Sequence, residues 1–262
     1  MINIWKADTF KLYKSTSPWV FIILSLVSTV IFVSCSHLVA AGELSIETAT
    51  GALSLFSETQ MMALLGSMAI GICISTDFEN KIIENAISGG HSRHMIIINK
   101  IITFLLLITL LYLPYILSIL ILTFTDIEFS SFLPTPVLTI LSASTQTEIS
   151  AGLIGKLLLL SVLSLVIFIS QLMVGIFYMF LFKKSVLVIA ATYLTILILG
   201  PISSLNDAVH SVMAYTPYGI DLSQLTLDIS STFVGESLLI SGCFILLLYL
   251  LTYAIFRKAE VK

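Results

Sequence analysis

Six stretches of this chain are apolar for long enough to cross a bilayer: residues 19–37, 59–75, 101–124, 157–182, 186–203 and 237–256. A hydrocarbon layer about 30 Å thick takes about 20 such residues in a helix. Inside it, backbone polar groups must be satisfied within the segment itself. Composition agrees. Charged residues make up 10% of the chain and apolar ones 58%, with a mean hydropathy of +1.08, whereas soluble domains carry about 25% charged residues. The expectation is an all-α integral membrane protein with six transmembrane helices. Polar residues crowd the start of the second run, which makes it the least regular of the six.

Basic residues set the orientation. Lys6, Lys11 and Lys14 precede the first run, Lys81, Arg93 and Lys100 separate the second from the third, Lys183 and Lys184 the fourth from the fifth, and Arg257, Lys258 and Lys262 follow the sixth. The other three loops hold acids, among them Glu43, Glu47, Glu58, Asp126, Glu128, Asp207, Asp221 and Asp228, with Lys156 alone at a span edge. Both termini are therefore expected in the cytoplasm. Residues 1–18, with Ile4, Trp5, Leu12 and Tyr13 among lysines, have the make-up of an interfacial helix on an anionic inner leaflet. Cys35, Cys73 and Cys243 show no paired spacing and fit small packing residues.

The longest polar interruption lies between the second and third runs, at residues 76–99. Asp77 is placed to cap a short helix, with Glu79 early at its positive end. Ser88-Gly89-Gly90 supplies the stop. Ile82, Ile83, Ala86 and Ile87 share one face, leaving Glu79, Asn80, Glu84 and Ser88 on the other. Such a helix suits the membrane surface, with polar groups offered to a partner.

Other features bear on packing. Ala63, Ser67, Gly71 and Ser75 form a column of small residues, which serves either intramolecular packing or a subunit interface. Pro114 predicts a bend in the third span. Gln171, with Gly175 four residues on, is a polar group deep in the fourth span that should face protein; a place on a substrate path stays open. Residues 125–155 read as a polar outer loop. The stretch from 204 to 234 is too short and polar to cross but holds scattered apolar residues and the turn Pro217-Tyr218-Gly219. That pattern fits re-entrant helices dipping into the outer leaflet.

Several chemistries lack their motifs. Gly152-Leu153-Ile154-Gly155-Lys156 misses the first glycine of a nucleotide-binding loop, since position 150 is serine. His91 and His94 have no acid or cysteine close in sequence, and no nucleophile–base motif is present. Acids fall at interfaces and loops, which weighs against an ion-coupled transporter. No catalytic, metal-binding or cofactor-binding residue is assigned, and no nucleic-acid partner is expected.

With its termini inside, an amphipathic start and an inner helix between spans two and three, the layout resembles the ABC-2 type family of ABC transporter permeases. The motif that carries this runs from Phe78-Glu79 through Gly89-Gly90 and Ser92-Arg93 to Lys100, with His91 where many relatives have proline. In that family the inner helix is a coupling helix that docks on a separate ATPase subunit. The resemblance implies that Glu79, Lys81, Glu84 and Asn85 meet the ATPase, within a coupling set that includes Phe78, Gly89, Gly90 and Arg93. Arg93 and Lys100 would set the entry to span three. It further implies a bacterial plasma-membrane location, ATP and magnesium bound by the partner rather than this chain, and a second permease, identical or different. The small size resembles permeases of peptide export and lantibiotic self-immunity. Two other readings are a non-transporting immunity or sensor subunit that binds peptide, and a membrane-embedded lipid-modifying enzyme.

Overall fold

A computed structural model describes residues 2–125, 127–144, 150–202 and 207–258. These residues form helices and no strand. Helix α1 (Ile2–Lys14) leads into α2 (Thr16–Ala40), a short α3 (Ile46–Thr50), and α4 (Glu58–Ala69). Then come α5 (Thr76–Glu79), α6 (Ile82–Ser88), α7 (Arg93–Leu122), α8 (Pro136–Ser144), α9 (Ala151–Phe182), α10 (Ser185–Ile202), α11 (Asp207–Met213) and α12 (Ser231–Lys258). Six of these segments are long and apolar enough to cross a membrane, α4 doing so together with α5 across residues 58–79. The protein is thus built as a multi-pass membrane protein.

The bundle is organised around its second and fourth spans. Their most apolar windows are 72% and 67% buried within the chain, against 17% for those of α10 and α12. Lipid tails are as apolar as leucine, so helices associate in a bilayer through close contact and polar groups. Glycines supply that contact here. A Cβ on Gly71 would lie 2.2 Å from Ile189 Cγ1, and one on Gly175 would lie 2.8 Å from Ile70 Cδ1 and 2.9 Å from Thr192 Oγ1. Ala63, Ser67, Gly71 and Ser75 are all buried inside the chain. The small-residue column therefore packs spans of one chain together.

Between α4 and α5 the backbone widens into a π-helical stretch, Ile70–Ser75. Such a stretch interrupts the regular hydrogen-bond ladder and is frequent at functional sites. Here Cys73 O receives Lys11 Nζ at 3.3 Å. α7 runs on through Pro114, which has no N–H to donate; close by, Ser25 Oγ donates to Leu111 O at 2.6 Å.

Two expectations change. Residues 125–155 are not simply a polar loop, because α8 buries Val137, Leu138, Ile140 and Leu141 completely. Nor is the 76–99 segment one helix capped by Asp77. It breaks at Lys81, which adopts a left-handed conformation with φ 57°, and Asp77 lies inside α5 with its carboxylate turned into the protein.

Candidate functional site

At the basic end of the bundle, four buried polar side chains from three separate elements meet. Asp77 on α5 receives Lys11 from α1 and Lys100 from α7. Lys100 Nζ also reaches Asp8 Oδ2 at 2.6 Å, and Asn99 Nδ2 donates to the same oxygen. Asp77 is 1% exposed, Asn99 2%, Lys100 3% and Asp8 8%. Charges this deeply buried are tolerated because two lysines match two aspartates and an amide takes up part of the remaining acceptor capacity. The consequence is mechanical: α1, the C-terminal end of span two and the start of span three cannot move apart without exposing or unpairing a buried charge.

Aromatic packing adds a second tie. Phe78 meets Phe180 of α9 at 5.2 Å between ring centroids and Phe256 of α12 at 6.4 Å, and those two rings are 4.8 Å apart. Phe78 is only 9% exposed, so it anchors α5 in the core. Glu79 Oε1 accepts the Ser185 N–H at 2.7 Å, satisfying an orphan donor at the first turn of α10. Arg93 donates through one guanidinium nitrogen to Phe256 O at 2.6 Å and Arg257 O at 2.7 Å. It therefore closes the C-terminal end of α12, where unpaired carbonyls and the negative dipole end favour a cation.

What remains free of such ties is the tip. α6 seats Ile83 in the core and leaves Lys81, Asn85 and Ser88 exposed, with Glu84 half-buried beside them. Ile82 is 41% exposed, so the apolar face is narrower than its spacing implies. The helix ends as the Gly-Gly pair predicts. Gly90 takes φ +86°, its N–H bonds Ile87 O at 3.0 Å, and the His91 N–H bonds Ala86 O at 3.1 Å. This is a Schellman closure, which requires a left-handed residue at the Gly90 position. Ser92 then caps α7 by accepting the Met95 N–H. His94 stands edge-on to Tyr249 and Tyr253 at 6.0 and 6.1 Å, and among the described residues no metal-ligand cluster includes it. Among the residues grouped by sequence, Lys81, Glu84, Asn85, Gly89 and Gly90 share one exposed tip, while Phe78, Glu79 and Arg93 hold that tip to the bundle.

The acidic end has its own polar anchors. Gln171 Nε2 donates to Pro217 O at 2.9 Å, and the Tyr218 hydroxyl donates to Gln171 O at 2.8 Å. Tyr218 also stacks edge-on against Phe244 at 5.9 Å. Burial, reinforced by nearby Tyr178, raises the pKa of the Tyr218 hydroxyl well above the ordinary tyrosine range, so it stays a donor at any physiological pH. Gln171 thus pins the 213–219 turn, and it also lines a cavity of about 420 Å³ between α4, α9, α10 and that turn. Gly219 permits the turn: a Cβ there would sit 2.3 Å from Met213 O, a backbone atom that cannot swing aside. Gly219→Ala is expected to cost about 1–3 kcal/mol of local stability, read as faster amide exchange over 213–222 with α7 unchanged. Equal protection in the variant would show that the turn has slack.

Sequence reasoning missed Glu58. It is 0% exposed at the start of span two, where Oε1 accepts the Val137 N–H of α8 at 2.9 Å and Oε2 has no partner among the described residues. Around it stand hydroxyl pairs, Tyr112 with Ser164 at 2.8 Å and Tyr115 with Ser28 at 3.3 Å. These acids keep the positions the sequence gives them, Glu58 and Asp77 at the two ends of the second span and Asp8 in α1, but their side chains are buried inside the protein. Local sequence carries no mark of this, since Glu58 and Asp8 find partners 79 and 92 positions away, and Asp77 finds its two 66 and 23 positions away.

Compared with the models of known protein families, the chain matches none, and no curated protein matches it either.

Proposed function

We propose that this chain is the permease subunit of an ATP-driven transporter of the ABC-2 type, working with a separate soluble ATPase that holds ATP and magnesium. The observation that carries the reading is the contrast within residues 76–100: an exposed polar tip at Lys81, Glu84 and Asn85 stands on a base of buried ion pairs and aromatic contacts. A tip joined this firmly to spans two and three, α1, α9 and α12 passes a push into the bundle instead of flexing locally. On the basic-residue bias, this end faces the cytoplasm with both termini, and α11 with the 213–224 region lies at the outer leaflet. Closure of an ATPase dimer on bound ATP would press the tip and shift the bundle between states. It can do so only by as much as the ATPase favours one state over the other. A second permease, identical or different, would complete the pathway for a peptide or other amphipathic substrate.

A tagged chain extracted in mild detergent is expected to co-purify a stoichiometric ATPase whose activity the chain stimulates. Recovery of the chain alone, with no associated ATPase activity, would overturn the permease reading and favour a non-transporting peptide-binding subunit.

A further inference from the structure

Helix α1 presents two faces of opposite character. Asp8 and Leu12 are buried against the bundle, and Lys11 beside them reaches Cys73 O and Asp77. Lys6, Phe10, Tyr13 and Lys14, at i, i+4, i+7 and i+8, share the other face and are exposed. Phe10 is 62% and Tyr13 69% exposed. Aromatic rings flanked by lysines suit the headgroup level of a bilayer, where the ring is sheltered and the ammonium stays wet. The patch is also continuous with a membrane span. Tyr13 packs edge-on against Trp19 at 6.0 Å between centroids, and Trp19 Nε1 donates to Tyr13 O at 3.1 Å. Trp19 in turn opens the exposed apolar side of α2, with Val20, Ile23 and Leu24, and α2 is long and apolar enough to cross a membrane. The outward face of α1 therefore extends a lipid-facing surface, and its two lysines give that surface a charge preference.

We propose that α1 docks on anionic lipid and passes the charge of that lipid surface to the 76–88 segment. Headgroups drawn to Lys6 and Lys14 hold the helix down. Its inward face then stays seated, with Asp8 on Lys100 at 2.6 Å and on Asn99, and Lys11 on Asp77 at the base of the tip. On a neutral bilayer α1 loses that hold, and the network it completes opens more often. The inference concerns this chain alone and does not rest on the permease reading.

The test places the full chain in nanodiscs of phosphatidylcholine alone, or of phosphatidylcholine mixed with phosphatidylglycerol of the same acyl chains, and follows amide exchange. With two lysines at an anionic surface, exchange over α1 is expected to be about thirtyfold slower in the anionic discs. Exchange over 76–88 should slow with it, while the middle of α7 stays the same. Lys6→Gln combined with Lys14→Gln leaves the buried partners intact and should exchange at the neutral-disc rate in both lipids. Equal exchange over α1 in the two lipids would overturn the proposal. So would a response at α1 that leaves 76–88 unaltered, or a double variant that responds as fully as the native chain.

Discussion

Lys100→Ala is expected to lower the stability of the folded bundle by about 3–5 kcal/mol, the usual cost of removing one partner from a buried ionic set. The lysine is 3% exposed and stands between Asp8 and Asp77. Without it, Asp8 retains only Asn99 and Asp77 only Lys11, and two buried carboxylates are left with a single cation. Water cannot easily make up the loss at this depth. Lys100→Met combined with Asp77→Leu removes one charge of each sign, so it should cost less than the two single changes added together, with a coupling of about 0.5–3 kcal/mol. The measurement is the loss of helical circular dichroism as sodium dodecyl sulfate is added to micelles. An unchanged midpoint for Lys100→Ala would mean that the network holds nothing together.

Glu84→Lys should do the opposite kind of damage. Among the described residues the Glu84 side chain makes no hydrogen bond or ion pair, and its backbone carbonyl accepts from Ser88 Oγ at 3.0 Å. The spans should therefore fold as before, with the same unfolding midpoint. Function should suffer, because a reversed charge at the centre of a docking surface meets repulsion where it had a partner. A contact of this importance is worth about 2 kcal/mol or more, so ATPase stimulation should fall roughly thirtyfold. Transport at the unaltered rate would remove Glu84 from the docking surface.

Both predictions turn on the 76–100 segment, and they separate what the sequence made legible there from what it did not. Local rules succeeded where the physics is local. The Gly89-Gly90 stop works because a left-handed residue is needed within two positions of the helix end. The six apolar runs become helices because hydropathy adds up along a window. The Asp77 cap failed because its carboxylate has better partners, lysines on two other elements, than the backbone N–H groups of its own turn. Nothing within the segment announces Lys11, and Lys100 reads as an ordinary basic flank of span three. Lys81 is a similar case: its left-handed φ of 57° is imposed by Phe78 seating in the core while α6 turns to bury Ile83. α8 was within reach, since Pro136 is a good first helical residue and four buried aliphatics follow, but the surrounding polar residues masked it. Glu58 was beyond reach, because its buried carboxylate depends on α8, whose Val137 N–H lies 79 positions away in sequence.

The most direct test of the permease reading asks what touches the tip. A photo-activated cross-linking residue placed at Asn85, and another at Tyr215 on the opposite end, where the native side chain is 82% exposed, would be irradiated in intact cells. Asn85 is expected to capture a soluble ATP-binding protein in high yield, with a yield that changes when ATP hydrolysis is blocked, and Tyr215 to capture none. Capture of such a protein from neither site, or from Tyr215 alone, would contradict the account.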